Sequence, residues 1–169
     1  MQCFRDDGIG CYYACDLKRD SKVAEYHLAQ LNIVKMKFDI EAPELEDFFA
    51  RFDEINALAD ESPGFVWRLS IDDEDTSAID HFGPDYLVNM SIWEDVDSLH
   101  RYVYRSAHSE VMASRKQWFD RTLEAYSVLW WIPAGTVPTI AQADERLECL
   151  RHNGATAEAF TFKQLFAAE

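Results

Sequence analysis

Basic residues are scarce. Lysine and arginine number 16 against 31 aspartates and glutamates, a formal charge of -15. Such a field repels phosphate backbones and anionic lipid, and no basic stripe offsets it, so neither nucleic acid nor a membrane surface is an expected partner. Cysteine is also sparse. Cys3, Cys11, Cys15 and Cys149 form no CxxC pair and match no zinc spacing, so they read as reduced thiols and no metal is expected. No apolar run is long enough to span a bilayer, and the first residues hold no cationic segment leading into an apolar one; the cytoplasm is the expected location. A glycine-rich phosphate loop, a nucleophile elbow and an HExxH zinc motif are all missing, which removes the chemistries they signal.

What is present suits one soluble domain with a real core: 169 residues, 48% hydrophobic and 28% charged. The most apolar stretch is 127–138, Ser-Val-Leu-Trp-Trp-Ile-Pro-Ala-Gly-Thr-Val-Pro. Val128, Trp130 and Ile132 fall on one face of a strand and Leu129 and Trp131 on the other, so both faces need cover. Pro133, Gly135 and Pro138 then stop the strand and turn the chain.

Residues 1–25 read as a poorly structured extension and 26–169 as the folded domain. A first strand spans 26–34. A helix follows, with Pro43 in its first turn and Phe48, Phe49, Phe52 and Ile55 as its apolar stripe. Strands at 65–71 and 86–93 flank the acidic run 72–85, which reads as a solvated hairpin loop because it lacks the ligand spacing of a calcium loop. In the first of these strands Phe65 and Trp67 should share a face. Helical patterns cover 95–105 and 107–123. A last helix spans 140–152, with a capping box of Thr139 and Gln142, and 159–162 reads as a short closing strand. This β-α-β-β-α-β order predicts an α+β fold: a ferredoxin-like antiparallel sheet with helices on one face. Pairing two such sheets across a two-fold axis would cover the other face, which points to a homodimer.

The pattern resembles the dimeric α+β barrel superfamily, which includes antibiotic-biosynthesis and haem-degrading monooxygenases. Trp130, Trp131, Pro133, Gly135 and Pro138 form a WWxPxGxxP signature similar to that of an uncharacterised family within it, a domain of unknown function. The likeness continues through His108, Arg115, Trp118 and Phe119 upstream and Arg146, Leu147, Leu150, Gly154 and Phe160 downstream. It implies the barrel fold and a small-molecule site between sheet and helices, but no established activity. Haem-degrading relatives use an Asn on the first strand and a Trp and a His after the third. Here Asn32 is the counterpart of the Asn, Tyr102 lies near the Trp position, and Met112 or Ala113 stands where the His would be.

His108, Met112, Arg115, Phe119 and Thr122 recur at helical spacing on an otherwise apolar side. Charge there is costly unless used or paired. One reading makes His108 a general base or ligand and Arg115 the partner of a substrate carboxylate or enolate; the other leaves both at the helix rim, with Arg115 capping a carbonyl or pairing to Glu110 or Glu124. Asn32, Arg68 and Asn89 are polar entries on half-apolar strands and would line a pocket with Trp67 and Trp93. Met112, Trp118, Phe119 and Trp130 complete the substrate-binding candidates, with core packing as their alternative role. His100 reads as a structural histidine on a buried stripe. The expected function is a small-molecule enzyme of the monooxygenase-like barrel type, acting on an aromatic or apolar substrate without a cofactor; oxygenation, isomerisation and cyclisation all fit. The alternatives are a non-catalytic dimeric module that binds a small apolar ligand or a partner protein, and a haem protein.

Overall fold

The computed structural model describes residues 25–70, 76–105, 115–121 and 124–168, with Arg105 and Arg115 described by backbone alone. The 1–25 extension thus lies outside the description apart from Glu25, and with it Cys3, Cys11 and Cys15. Four strands carry the fold: β1 (Tyr26–Lys35), β2 (Phe65–Arg68), β3 (Tyr86–Trp93) and β4 (Ser127–Pro133). The helices are α1 (Glu46–Asp60), α2 (Ser77–Phe82), α3 (Val96–Arg105) and α4 (Ile140–Asn153), with 3-10 turns at Pro43–Leu45 and Arg115–Gln117. The sheet is antiparallel throughout, in the order β2-β3-β1-β4. That order is the ferredoxin-like one expected. No helix among the described residues is long and apolar enough to cross a membrane.

Strand alternation divides the sheet into two apolar faces. Leu28, Trp93 and Leu129 pack beneath Ala59 of α1 and Leu99 of α3, and further along Leu87 and Met36 meet Leu45, Phe48, Trp118 and Phe119. The crossover helices α1 and α3 therefore share one face. On the other, Ala29, Leu31, Ile92, Val128 and Trp130 pack against Ile140, Ala143, Leu147 and Leu150 of α4, joined by Phe82 of α2. A capping box of Thr139 and Gln142 starts α4, and His81 of α2 lies 2.8 Å from Asp144.

The cover expected from a second subunit is thus supplied by the chain itself. Ala29, Leu31 and Val128 are fully buried within a single copy, and Trp130 is 3% exposed. The two-sided strand is sandwiched as its pattern requires. The second layer is an amphipathic helix that leaves β4 through a tight turn and folds back on the strand's own sheet.

Four local readings change. Part of the acidic run forms α2, whose first turn is closed by Thr76 Oγ1 donating to Asp80. The helical pattern at 107–123 does not persist to its end: Lys37 N–H bonds Trp118 O and Asp120 N–H bonds Lys35 O, so this segment extends the end of β1 instead. A bulge between Phe65 and Trp67 puts these residues on opposite faces; Phe65 meets Trp93 edge-on, whereas Trp67 joins the α4 side. The closing strand shrinks to one bridge with the sheet, in which Phe160 exchanges two 2.8 Å hydrogen bonds with Leu129.

Gly64 sets the entry to β2. Its φ is +83°, and an added Cβ would sit 2.2 Å from Ser98 Oγ. Its carbonyl also accepts from Glu94 N–H at 2.7 Å. Gly64→Ala combines left-handed strain with a clash against a buried serine, so a loss of roughly 2–4 kcal/mol is expected in urea denaturation.

Candidate functional site

The register of the sheet assembles a polar row under α1 and α3. Asn32 lies opposite Asn89 on β3 and opposite Ser127 on β4, and Gln30 lies opposite Ser91. All five side chains therefore share one face. A relay fixes the Gln30 end: Trp93 Nε1–H donates to Ser91 Oγ at 3.0 Å, and the Ser91 hydroxyl donates to Gln30 Oε1 at 2.9 Å. An indole N–H can only donate, so the serine proton is directed onward and the Gln30 NH2 is turned away from Ser91.

Above this row is a cavity of about 450 Å³. Gln30, Asn32, Asn89 and Ser127 form the polar part of its floor. Phe48 and Phe52 of α1, Tyr102 of α3, Phe119 and Phe162 make an aromatic wall. Phe162 and Lys163 arrive on the C-terminal segment, which the Phe160 bridge and a 2.8 Å bond from Trp131 Nε1–H to Phe166 O hold beside β4. Three carboxamides and a hydroxyl set in an apolar wall are uncharged donors in a low-dielectric setting. Such groups suit a carbonyl, phenol or enolate oxygen on a flat apolar body.

Tyr102 is not the base for such a ligand. Burial drives its phenol well above the ordinary tyrosine value; nearby Arg68 opposes this and Asp60 adds to it. It donates to Ile55 O at 3.2 Å and stacks on Trp93 with centroids 5.1 Å apart. At alkaline pH the unfolded chain releases this proton first, so the buried phenol costs stability only as pH climbs past the ordinary tyrosine range. No histidine or carboxylate is among the described lining residues. Among the described residues no group of three or more His, Cys, Asp or Glu could hold a metal.

The structure brings only some of the sequence candidates together. Asn32, Asn89 and Phe119 line the cavity. Trp93 and Trp118 are buried behind its wall, the first stacked under Tyr102 and the second against Phe48. Arg68 shares the face but is held at the sheet edge by Asp60, at 2.9 and 3.2 Å. Trp67 and Trp130 lie on the opposite face, under α2 and α4. His108 and Met112 fall outside the described residues, and of Arg115 only the backbone is described. His100 is exposed, packed edge-on to Phe162 rather than on a buried stripe. Gln30, Ser127, Phe162 and Lys163 go unpredicted. Register could have found Ser127, since it alone on β4 meets Asn32.

Comparison with solved structures gives distant likenesses. SnoaB, a cofactor-independent oxygenase from Streptomyces nogalater, is 20% identical at a TM-score of 0.41, over 66% of this chain and 95% of that one. A protein of unknown function from Nitrosomonas europaea is 14% identical at 0.44, over 69% and 98%. A provisionally assigned antibiotic biosynthesis monooxygenase from Chloroflexus aurantiacus is 12% identical at 0.39, over 68% and 98%. Likenesses this weak do not bear on activity. No curated protein matches. A family model described as a domain of unknown function, DUF3291, matches residues 27–169.

Proposed function

We propose a function from the cavity itself, given that the chain belongs to the DUF3291 family, a domain of unknown function: a small-molecule enzyme of the monooxygenase-like type, acting without a cofactor on an aromatic or apolar substrate. One observation carries this reading. A row of neutral donors, Gln30, Asn32, Asn89 and Ser127, floors an aromatic cavity of about 450 Å³. In cofactor-free oxygenation the substrate anion supplies the electrons to O2, and the protein stabilises that anion and excludes water. The amides would hold the anionic oxygen. His108 as base and Arg115 as anion partner enter the proposal from their sequence pattern. The homodimer belongs to the same reading, but it requires a surface other than the α4-covered face.

Anthrone is a suitable probe. Its methylene carbon becomes a carbonyl while one O2 is consumed; one oxygen atom enters the ring ketone and the other leaves as water with the two methylene hydrogens. Oxygen uptake matching anthraquinone formation is expected for the purified protein, lowered by His108→Ala or Arg115→Ala with anthrone binding retained. Binding without uptake above the spontaneous rate would overturn the oxygenase reading. It would instead favour a non-catalytic binding module, a reading with which a described lining that holds no histidine or carboxylate is consistent. No histidine, cysteine or methionine is among those residues either, so they offer haem none of its commoner axial ligands. A haem titration without a Soret shift would remove that alternative.

A further inference from the structure

Beside the apolar cavity, and sharing Val34, Phe119 and Tyr126 with it, lies a second concavity of about 630 Å³. Its described charged lining residues are Lys37, Lys116 and Arg121, opposed by Asp120. This balance is unusual for this chain. Acidic residues outnumber basic ones 31 to 16 overall, yet here, among the described residues, three cations meet one carboxylate. They are also positioned by the fold. The segment carrying them is laced to the end of β1 by Lys37 N–H to Trp118 O and Asp120 N–H to Lys35 O, each 2.9 Å, and by the Met36–Phe119 bridge. Lys37 Nζ also donates to Lys116 O, which holds its ammonium at the cleft. Lys163 adds a further cation on the wall of the apolar cavity. The long-range field of an acidic protein repels anions, so a local cation cluster opening onto an aromatic cavity selects for an anion attached to an apolar body.

We propose that the ligand is an amphipathic acid: an aromatic or otherwise apolar body seated over Asn32 and Asn89, with a carboxylate or phosphate held by Lys37, Lys116 and Arg121. This rests on the cavity being the ligand site and deepens that reading by naming the substrate class. Charge-assisted bonds to these side chains would set the orientation of the body over the amide floor.

A matched pair of fluorescent probes tests it. N-phenyl-1-naphthylamine and 1-anilinonaphthalene-8-sulfonate share one ring system, and only the second is anionic. The wild type is expected to bind the anion roughly 10-fold tighter at low salt, with the advantage shrinking as sodium chloride rises. Arg121→Gln and Lys116→Gln should each weaken the anion about 3-fold, and the triple variant with Lys37→Gln at least roughly 10-fold, while the neutral probe keeps its affinity and so reports an intact cavity. Displacement of the neutral probe by 2-naphthoate or by 2-naphthyl phosphate distinguishes the two anion chemistries. Equal binding of both probes by wild type, or an equal loss of both in the variants, overturns the amphipathic-acid proposal and leaves the cavity reading standing. Failure of both probes to bind overturns the two together.

Discussion

Trp130→Ala is expected to cost about 3–5 kcal/mol, a large share of what holds a domain of this size together. Trp130 is 3% exposed and lies between the sheet and α4, in the cluster formed by Ala29, Ala143 and Leu147. Its register partner is Ala29, whose small side chain leaves room for the indole. None of these neighbours can fill the space the indole would vacate, and the cavity left between a strand and a helix collapses poorly. Trp131 lies one residue on and faces the other way, half-buried, with its N–H on Phe166 O. Its truncation should cost less globally and loosen the C-terminal segment that brings Phe162 and Lys163 to the cavity. Urea denaturation of the two variants measures the contrast: a large fall in midpoint at unchanged slope for Trp130→Ala, a smaller one for Trp131→Ala. Equal losses would show that the layer of α4 contributes little to stability.

Asn32→Leu is expected to act in the opposite sense, leaving stability near wild type and lowering anthrone turnover by roughly 10²–10³-fold, the usual cost of one oxyanion donor. Asn32 is the centre of the polar row, flanked in register by Asn89 and Ser127. Leucine keeps the branched shape and removes the donors. Asn32→Asp should be as damaging, because a carboxylate would face the substrate anion across a poorly screened gap. Unchanged turnover in both variants would remove the amide floor from the mechanism.

Much of this was legible in the residues. The alternation of β1, β3 and β4 follows from period-two patterning, and α4 from its capping box and apolar stripe. Phe65 and Trp67 were misleading because a bulge leaves no mark in an alternating pattern. The short α2 was hidden in an acidic run where no apolar period could show. The source of the second layer was not legible either: the two-sided β4 demands cover but cannot say whether its own chain or another provides it. Asn32 and Asn89 stood out singly as polar entries on apolar strands. Their partnership with Gln30 and Ser127 needed the register, and Lys37 is far in sequence from Lys116 and Arg121 until a bridge at Met36 and Phe119 brings them together.

Titration with anthrone under anaerobic conditions, followed through the side-chain amide and indole N–H resonances, tests the site most directly. The amides of Gln30, Asn32 and Asn89 should shift, together with the Trp93 indole that reaches Gln30 through Ser91, while the Trp67 and Trp130 indoles on the α4 side stay still. Shifts confined to Trp67 and Trp130, with the three amides unmoved, would place the ligand on the wrong side of the sheet and contradict the account.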